Sequence, residues 1–447
     1  MNGTCILTAL LLCFGLSAPS AVAQQQPNIV FLLADDLGYG DLGCYGHPVA
    51  ETPHIDRLAR DGVRFTQHYA NGPECSPTRT AFLTGRYQQR AGGLECAIGT
   101  GNVGRYDEAI RLADQHQLGL PAQQTVIPGR LKDAGYRCGV FGKWHLGYEP
   151  DFNPIQHGWD SFFGYLGGNV HYFNHRETSD LHVLFRDRLP VYRDGYMTHL
   201  ITDDSIDFIR QNRAQPFFLY VSHECPHFPF QGPDDEDKVV TADNWMQTDP
   251  AAYVAMLQDL DSEVGRLQTA VDQAGLTDNT VFIFASDNGG FAGAGHMAGL
   301  RGAKSTTFEG GIRVPLIIRW PGHIKPGTTC HQPCLTFDLT CSFLRLAGID
   351  VSSVPLDGQD IIRHVTSGAA DYPRTMFWRG KRGDRTWSAV RHGDRKYVRK
   401  ADGGQTEDWM FDLAADPHEA DDLLPTESAD TLKQLLHDWE AAVRPQR

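Results

Sequence analysis

The sequence predicts an α/β fold built on a mainly parallel central sheet, with a smaller unit at its C-terminal end. Two observations carry this reading. Short, almost wholly apolar runs alternate with longer helical stretches through the first three quarters of the chain, as expected of strands buried on both faces. After about residue 370 the texture changes to short runs separated by Gly-Asp turns, which reads as an antiparallel sheet.

Asn28 to Ala34 is the first expected strand, and it runs directly into Asp35 and Asp36. Pro53 to Asp61 reads as a helix with proline in its first turn, where the missing N–H is no loss. Further buried strands are expected at Arg137 to Phe141, Phe217 to Ser222, Val281 to Ser286 and Val314 to Arg319. Helices are expected around Gln123 to Ala134, Thr198 to Arg213 and Ala251 to Ala274. In the C-terminal unit, Thr375 to Trp378, Trp387 to Arg391, Lys396 to Arg399 and Trp409 to Leu413 read as strands. Ser428 to Val443 reads as a closing helix with Ser428 as its N-cap. Ligands bind at the carboxyl ends of the strands in sheets of this kind, and the polar motifs of this chain occur there.

The chain has 447 residues, a formal net charge of -15 and 41% hydrophobic residues, the profile of a soluble acidic globular protein with a large core. No nucleic-acid partner is expected. The apolar run Ile6 to Leu16, followed by small residues up to Ala23, reads as a secretory signal peptide, too short to span a bilayer. The expected organisation is residues 1–23 as signal peptide, 24–370 as catalytic α/β domain and 371–447 as a small C-terminal α+β subdomain, in a secreted or periplasmic protein. Ten cysteines fall to eight when Cys5 and Cys13 leave with the signal peptide. Cys330, Cys334 and Cys341 could hold a local disulfide; their spacing is not the paired arrangement of a zinc site.

Asp35 and Asp36 follow one strand, and Asp287 and Asn288 follow another. Four oxygen-bearing side chains of this kind suit a hard divalent cation, calcium or magnesium, in preference to zinc. Each pair alone is an ordinary turn or helix cap, so the argument rests on their combination with other motifs. These are Cys75-Ser76-Pro77-Thr78-Arg79 with Leu83-Thr84-Gly85-Arg86, then Gly142-Lys143-Trp144-His145-Leu146-Gly147. His223-Glu224-Cys225-Pro226-His227 and Gly302-Ala303-Lys304-Ser305-Thr306 follow later in the chain.

Together these motifs resemble the type I, formylglycine-dependent sulfatases of the alkaline-phosphatase-like superfamily, and most closely their arylsulfatase and N-acetylgalactosamine-6-sulfatase branch. The resemblance covers nearly all of the mature chain, including Thr52 to Ala59 and Phe411 to Pro417. It implies that a maturation enzyme oxidises Cys75 to Cα-formylglycine, whose hydrate is the nucleophile. It implies one Ca2+ per subunit on Asp35, Asp36, Asp287, Asn288 and the modified Cys75. Arg79 would donate to the hydrate from a helix beginning near Thr80, and Lys143 and Lys304 would bind the sulfate. His227 would protonate the leaving alcohol, with His223 as the rival for that place, and His145 would take the proton that lets the second hydroxyl expel sulfate. Thr78 stands where the family most often has serine, and His54 where asparagine is usual.

The implied substrate is a sulfated carbohydrate. The segments Arg90 to Leu120 and Gly164 to Arg193 are expected to wall the pocket, with Gly168 to Arg176 offering aromatic and hydrogen-bonding groups to a sugar. Two alternatives belong beside this reading: a phosphonate or phosphate diester hydrolase of the same fold, and a catalytically silent sugar-binding protein.

Overall fold

In the computed structural model, which describes residues 26–91, 95–98 and 114–443, the centre of the molecule is a ten-stranded sheet. The expected signal peptide, with Cys5 and Cys13, lies outside the described residues, as does most of the expected wall segment Arg90 to Leu120. Across the sheet the strands run Thr328–Cys330, Val63–Phe65, Leu316–Arg319, Thr280–Ser286, Asn28–Ala34, Phe217–Ser222, Arg137–Lys143, Ser161–Tyr165, Leu184–Arg186 and Leu189–Pro190. Seven elements position the site: β1 (Asn28–Ala34), α1 (Cys75–Thr84), β2 (Arg137–Lys143), α2 (Met197–Asn212), β3 (Phe217–Ser222), α3 (Pro250–Gln273) and β4 (Thr280–Ser286).

β1 is the hub of the sheet. It pairs in parallel with β4, Asn28 opposite Thr280, and with β3, Ile29 opposite Phe218; β3 pairs in parallel with β2, Arg137 opposite Phe217. Every residue of β1 is buried, because helices cover both faces. The period of two divides its side chains between two cores. Val30 and Leu32 pack with Ile201 of α2 and Leu257 and Leu260 of α3, whereas Ile29, Phe31 and Leu33 pack with Phe82 of α1 and Phe343. Truncating Phe31 to alanine would therefore cost about 3–5 kcal/mol.

The expected mixed fold with a central parallel sheet is the one observed. At the C-terminal end, Thr375–Arg382, Arg385–His392, Arg395–Asp402 and Gln405–Asp412 form a four-stranded antiparallel meander against which a helix, Asp430–Ala442, packs. Its core is continuous with the larger unit: Trp378, Tyr397 and Trp439 cluster with Tyr69, Tyr87 and Phe308. A buried ionic knot joins the two, with Lys396 Nζ 2.8 Å from Glu309 and 2.9 Å from Glu419.

Two expectations need correction. Ser428 is not the N-cap of the last helix; Ala429 holds that place, and the Ser428 hydroxyl accepts the N–H of Asp430 from one residue further out. Cys330, Cys334 and Cys341 form no local disulfide with one another. Among the described residues no helix is long and apolar enough to cross a membrane.

Candidate active site

Because β4, β1, β3 and β2 are adjacent and parallel, their carboxyl ends share one edge of the sheet. That edge carries Asp287 and Asn288 after β4, Asp35 and Asp36 after β1, the 223–227 segment after β3, and Lys143 with His145 at the end of β2. Local backbone geometry turns these groups inward. Asp36 takes a left-handed φ of 62°, tolerated by aspartate, and its N–H donates to Asp287 Oδ1 at 3.2 Å. Gly142 has a φ of 111°, and a Cβ there would lie 2.0 Å from the Ser222 carbonyl oxygen, so only glycine lets β2 bring Lys143 this close to β3.

Cys75 is the first residue of α1, so the whole Cys75 to Arg79 motif is helical; the helix begins five residues before the expected Thr80. The N-terminal partial positive charge of α1 therefore falls on the Cys75 side chain. That side chain is 1% exposed, and its Sγ lies 3.2 Å from Asp35 Oδ1 and 3.9 Å from Asp36 Oδ1. Burial, Asp287 and Asp35 push the thiol well above its ordinary pKa, so the unmodified cysteine is a poor nucleophile.

Three cations face this carboxylate cluster. Lys143 Nζ is 2.5 Å from Asp35 Oδ2, and Lys304 Nζ is 2.6 Å from Asp36 Oδ1 and 3.6 Å from Cys75 Sγ. Arg79 is the third: its guanidinium donates to Asp287 Oδ2, to Ser222 Oγ and to the Lys143 carbonyl, and its Nη2 is 3.7 Å from Asp35 Oδ1, so it braces the strand ends beneath Cys75.

Of the two rival histidines, His227 lines the cleft, with Nε2 3.6 Å from Asp36 Oδ2. Its Nδ1 bonds the Phe228 carbonyl at 2.7 Å, which makes Nε2 the nitrogen that faces the cluster. Tyr172 braces this segment from behind by donating to the carbonyls of His227 at 2.8 Å and Glu224 at 3.2 Å. It is fully buried, which removes it from the sugar-facing role expected of the 168–176 segment. His223 is buried away from the cleft. His145 Nε2 bonds the Ile98 carbonyl, leaving Nδ1 unpartnered among the described residues. Burial, Lys143 and Arg79 keep His145 neutral, and burial, Lys304 and Lys143 do the same for His227.

The donor set fits a hard cation. Burial pushes Asp35 up to about 8; Lys143 opposes this, and the Asp287 and Asp36 carboxylates add to it. Among the described residues Asn288 Oδ1 is buried without a hydrogen-bond partner, while its Nδ2 donates to Asp36 Oδ1 at 2.8 Å. An orphaned amide oxygen beside three buried carboxylates is the arrangement a divalent ion with oxygen ligands would satisfy. Ligand atoms of Asp35, Asp36, Cys75 and His227 all lie within 4.8 Å of one another.

Above the cluster opens a cleft of about 450 Å3 that has Cys75, His145, His227 and Lys304 among its lining residues. Asn169, Glu177, Trp245, Phe228 and Arg382 also line it. The last of these comes from the C-terminal meander, and its Nη2 is 2.6 Å from Glu74, the residue before Cys75. The sequence motifs miss Arg382, Glu74 and Ser222. Ser222 had a signal, as the final polar residue of an apolar strand; Arg382 had none, because only the tertiary fold brings it here.

The sulfatase family model matches residues 27–349, and the model for the C-terminal part of N-sulphoglucosamine sulphohydrolase matches residues 303–445. N-acetylgalactosamine-6-sulfatase of Canis lupus familiaris is 34% identical over 402 residues, covering 84% of this chain and 72% of that protein. Human arylsulfatase A is 35% identical over 379 residues, covering 78% and 69%. Among solved structures, Ps i-CgsB in complex with k-i-k-neocarrahexaose superimposes with a TM-score of 0.81 at 27% identity, covering 94% of each chain. The chain belongs to the sulfatase family and is a sulfuric ester hydrolase.

Proposed function

We propose that this sulfatase hydrolyses sulfate esters of a carbohydrate, with Cys75 matured to formylglycine and one Ca2+ held by Asp35, Asp36, Asp287, Asn288 and the modified Cys75. The observation that carries this reading is the convergence of Cys75, Lys143, Lys304 and His227 on Asp35 and Asp36 at the floor of one cleft. The sugar is supported by the relatives named for N-acetylgalactosamine 6-sulfate and by the neighbour solved with a carrageenan-type oligosaccharide. Asn169, Glu177 and Trp245 supply polar and aromatic surface suited to a pyranose ring.

The cation would offset charge on sulfate oxygens, and the formylglycine hydrate would supply a nucleophilic hydroxyl together with a second one for release. The chain's own residues do the rest. Lys143 and Lys304 neutralise the sulfate and give it one orientation. His227 Nε2 would face the scissile bond and carry the proton for the leaving alcohol; the single negative charge of the bound sulfate ester partly offsets the two lysines that, with burial, keep this ring neutral. His145, neutral with Nδ1 as its free acceptor, takes the proton that accompanies sulfate release. Arg79 acts as a positioning residue through Asp287. Residues 24–370 form the catalytic unit and residues 371–447 a small subdomain that lends Arg382. Removal of residues 1–23 and export to the periplasm or exterior, with a maturation enzyme as transient partner, complete the proposal.

The test is the mass of the tryptic peptide Phe65 to Arg79 from protein made with the maturation enzyme, followed by sulfate release from N-acetylgalactosamine 6-sulfate. A loss of about 18 Da with turnover supports the reading. Full turnover by Cys75→Ala would sink it. Parallel assays with an aryl sulfate and its phosphate diester analogue distinguish sulfatase from diesterase action.

A further inference from the structure

Outside the cleft, a second cluster of ionisable groups lies where α2 packs against α3, behind the end of β3. His199 Nε2, in the first turn of α2, is 2.8 Å from Asp259 Oδ1 and 3.9 Å from Glu263 Oε1. Asp259 and Glu263 are four residues apart on α3, so the helix itself places them on one face. One ligand atom from each of the three residues lies within 4.8 Å of the others.

The surroundings leave this cluster short of positive charge. Glu224, 2% exposed, lies close enough for the charges of Asp259 and His199 to act on it. Its Oε1 accepts the Thr198 hydroxyl, but its Oε2 has no partner among the described residues, nor has Asp259 Oδ2. His223, 1% exposed and within reach of the His199 charge, has both ring nitrogens unpartnered. Among the described residues, the guanidinium ion-paired with this group is that of Arg266, which Glu263 shares with Asp203. Buried carboxylates and orphaned imidazole nitrogens gathered in this way are costly unless a cation or protons complete them.

We infer that His199, Asp259 and Glu263 hold a second divalent cation, a transition-metal ion of the Zn2+ class, structurally separate from the catalytic cluster. An imidazole with two carboxylates selects such an ion over Ca2+, which takes oxygen ligands alone. The His199 side chain is 40% exposed, which leaves a path for entry and room for water to complete the coordination. The ion would pin α2 to α3 beside the 223–227 segment. That segment is tied to the catalytic edge because the Cys225 carbonyl accepts the N–H of Asp35.

The test counts metal and does not depend on turnover. Matured full-length protein is stripped with chelator, reloaded with Ca2+ and dialysed against a slight excess of Zn2+. Wild type, His199→Asn and Glu263→Gln are then compared by elemental analysis. The expected result is one zinc per chain fewer in each variant, with calcium unchanged. Equal zinc in all three overturns the inference, as does zinc that is lost only when calcium is lost. Should both variants fail to fold, X-ray absorption at the zinc edge of the wild type decides alone. A shell of nitrogen and oxygen is expected. A sulfur ligand would place the ion at a cysteine group such as Cys330, His364 and Asp371, and would overturn the assignment.

Discussion

Arg79 reaches across the sheet edge to Asp287, with Nη2 2.8 Å and Nε 3.0 Å from the same oxygen, Oδ2. Both side chains are almost wholly buried, at 1% and 0% exposure. The helix that carries Cys75 is thereby fastened to β4, the strand on the far side of β1. The arginine of the Cys-x-Pro-x-Arg motif fixes the distance between the reacting residue and one of its proposed metal ligands.

Arg79→Gln should consequently damage more than catalysis. It would leave Asp287 buried beside Asp35 and Asp36 with one cation fewer, and breaking such a pair costs about 3–5 kcal/mol. Urea unfolding should show that loss, and Ca2+ titration should show weakened or altered binding. A variant with wild-type stability and calcium affinity, defective only in turnover, would return Arg79 to direct contact with the reacting group.

Thr78 stands where the family most often has serine, and the structure shows which atom matters. Its hydroxyl accepts the Gly72 N–H at 3.1 Å and donates to the Gly72 carbonyl at 3.2 Å, closing the loop that leads into α1. Thr78→Ser keeps both bonds and should change stability by less than about 1 kcal/mol. Thr78→Val keeps the shape but orphans two buried backbone groups, at a cost of about 1–3 kcal/mol. Equal unfolding midpoints for the two variants would contradict this.

Calcium removal should be visible before any assay of turnover. Wild type treated with chelator should unfold at lower temperature and recover on adding Ca2+, the gain reaching about 2.7 kcal/mol at a hundredfold excess over Kd. Asn288→Ala removes the orphaned Oδ1 and should shrink that gain. A variant that gains as much from Ca2+ as wild type would exclude Asn288 from the ligand set.

The parts of this design that were legible in the sequence are those written in contiguous residues. β1 and β3 are buried throughout and, apart from Asn28 and Ser222 at their ends, hydrophobic because both faces of the sheet are covered, so Asn28–Ala34 and Phe217–Ser222 were readable to their ends. The C-terminal strands were underestimated: Thr375–Arg382 continues four residues past Trp378 through Arg379, Gly380, Lys381 and Arg382. There, hairpin pairing holds a half-exposed segment whose composition carries no strand signal. In the site, motifs at strand ends named the proposed metal ligands and the lysines, but not what each touches. The partners of Arg79, the burial of Tyr172 and the approach of Arg382 depend on contacts between distant segments.

Lys396 is the hinge pin between the meander and the larger unit, fully buried between Glu309 and Glu419. Burial alone would raise Glu309, but Lys396, Arg313 and Arg391 outweigh it and hold this carboxyl down at about 2, below its ordinary 4.5. A depressed folded-state pKa contributes stability above the unfolded value that is lost as pH falls from about 4.5 towards 2. Acid unfolding of wild type should include that step. Lys396→Met should lower stability at neutral pH by about 3–5 kcal/mol and remove the main cause of the depression, so that the acid step shrinks. Identical acid profiles would refute the linkage.

Arg382 gives the sharpest test of whether the C-terminal subdomain takes part in recognition. Its side chain is 38% exposed, lines the cleft and is held by Glu74, whose Oε2 also accepts the N–H of Ala97. A guanidinium held at the rim, away from Lys143, is placed to donate to an anionic or hydroxyl group on the sugar beyond the scissile sulfate. A charge-assisted bond of this kind is worth about 1.5–3 kcal/mol. Arg382→Ala should therefore raise KM for an oligosaccharide by roughly tenfold or more while leaving kcat nearly unchanged, the pattern of lost uniform binding. A small aryl sulfate, too short to reach the rim, should show little change. An equal loss on both substrates would mean that Arg382 acts through Glu74 on the Cys75 helix, and Arg382→Lys, which keeps the ion pair, would then restore the activity.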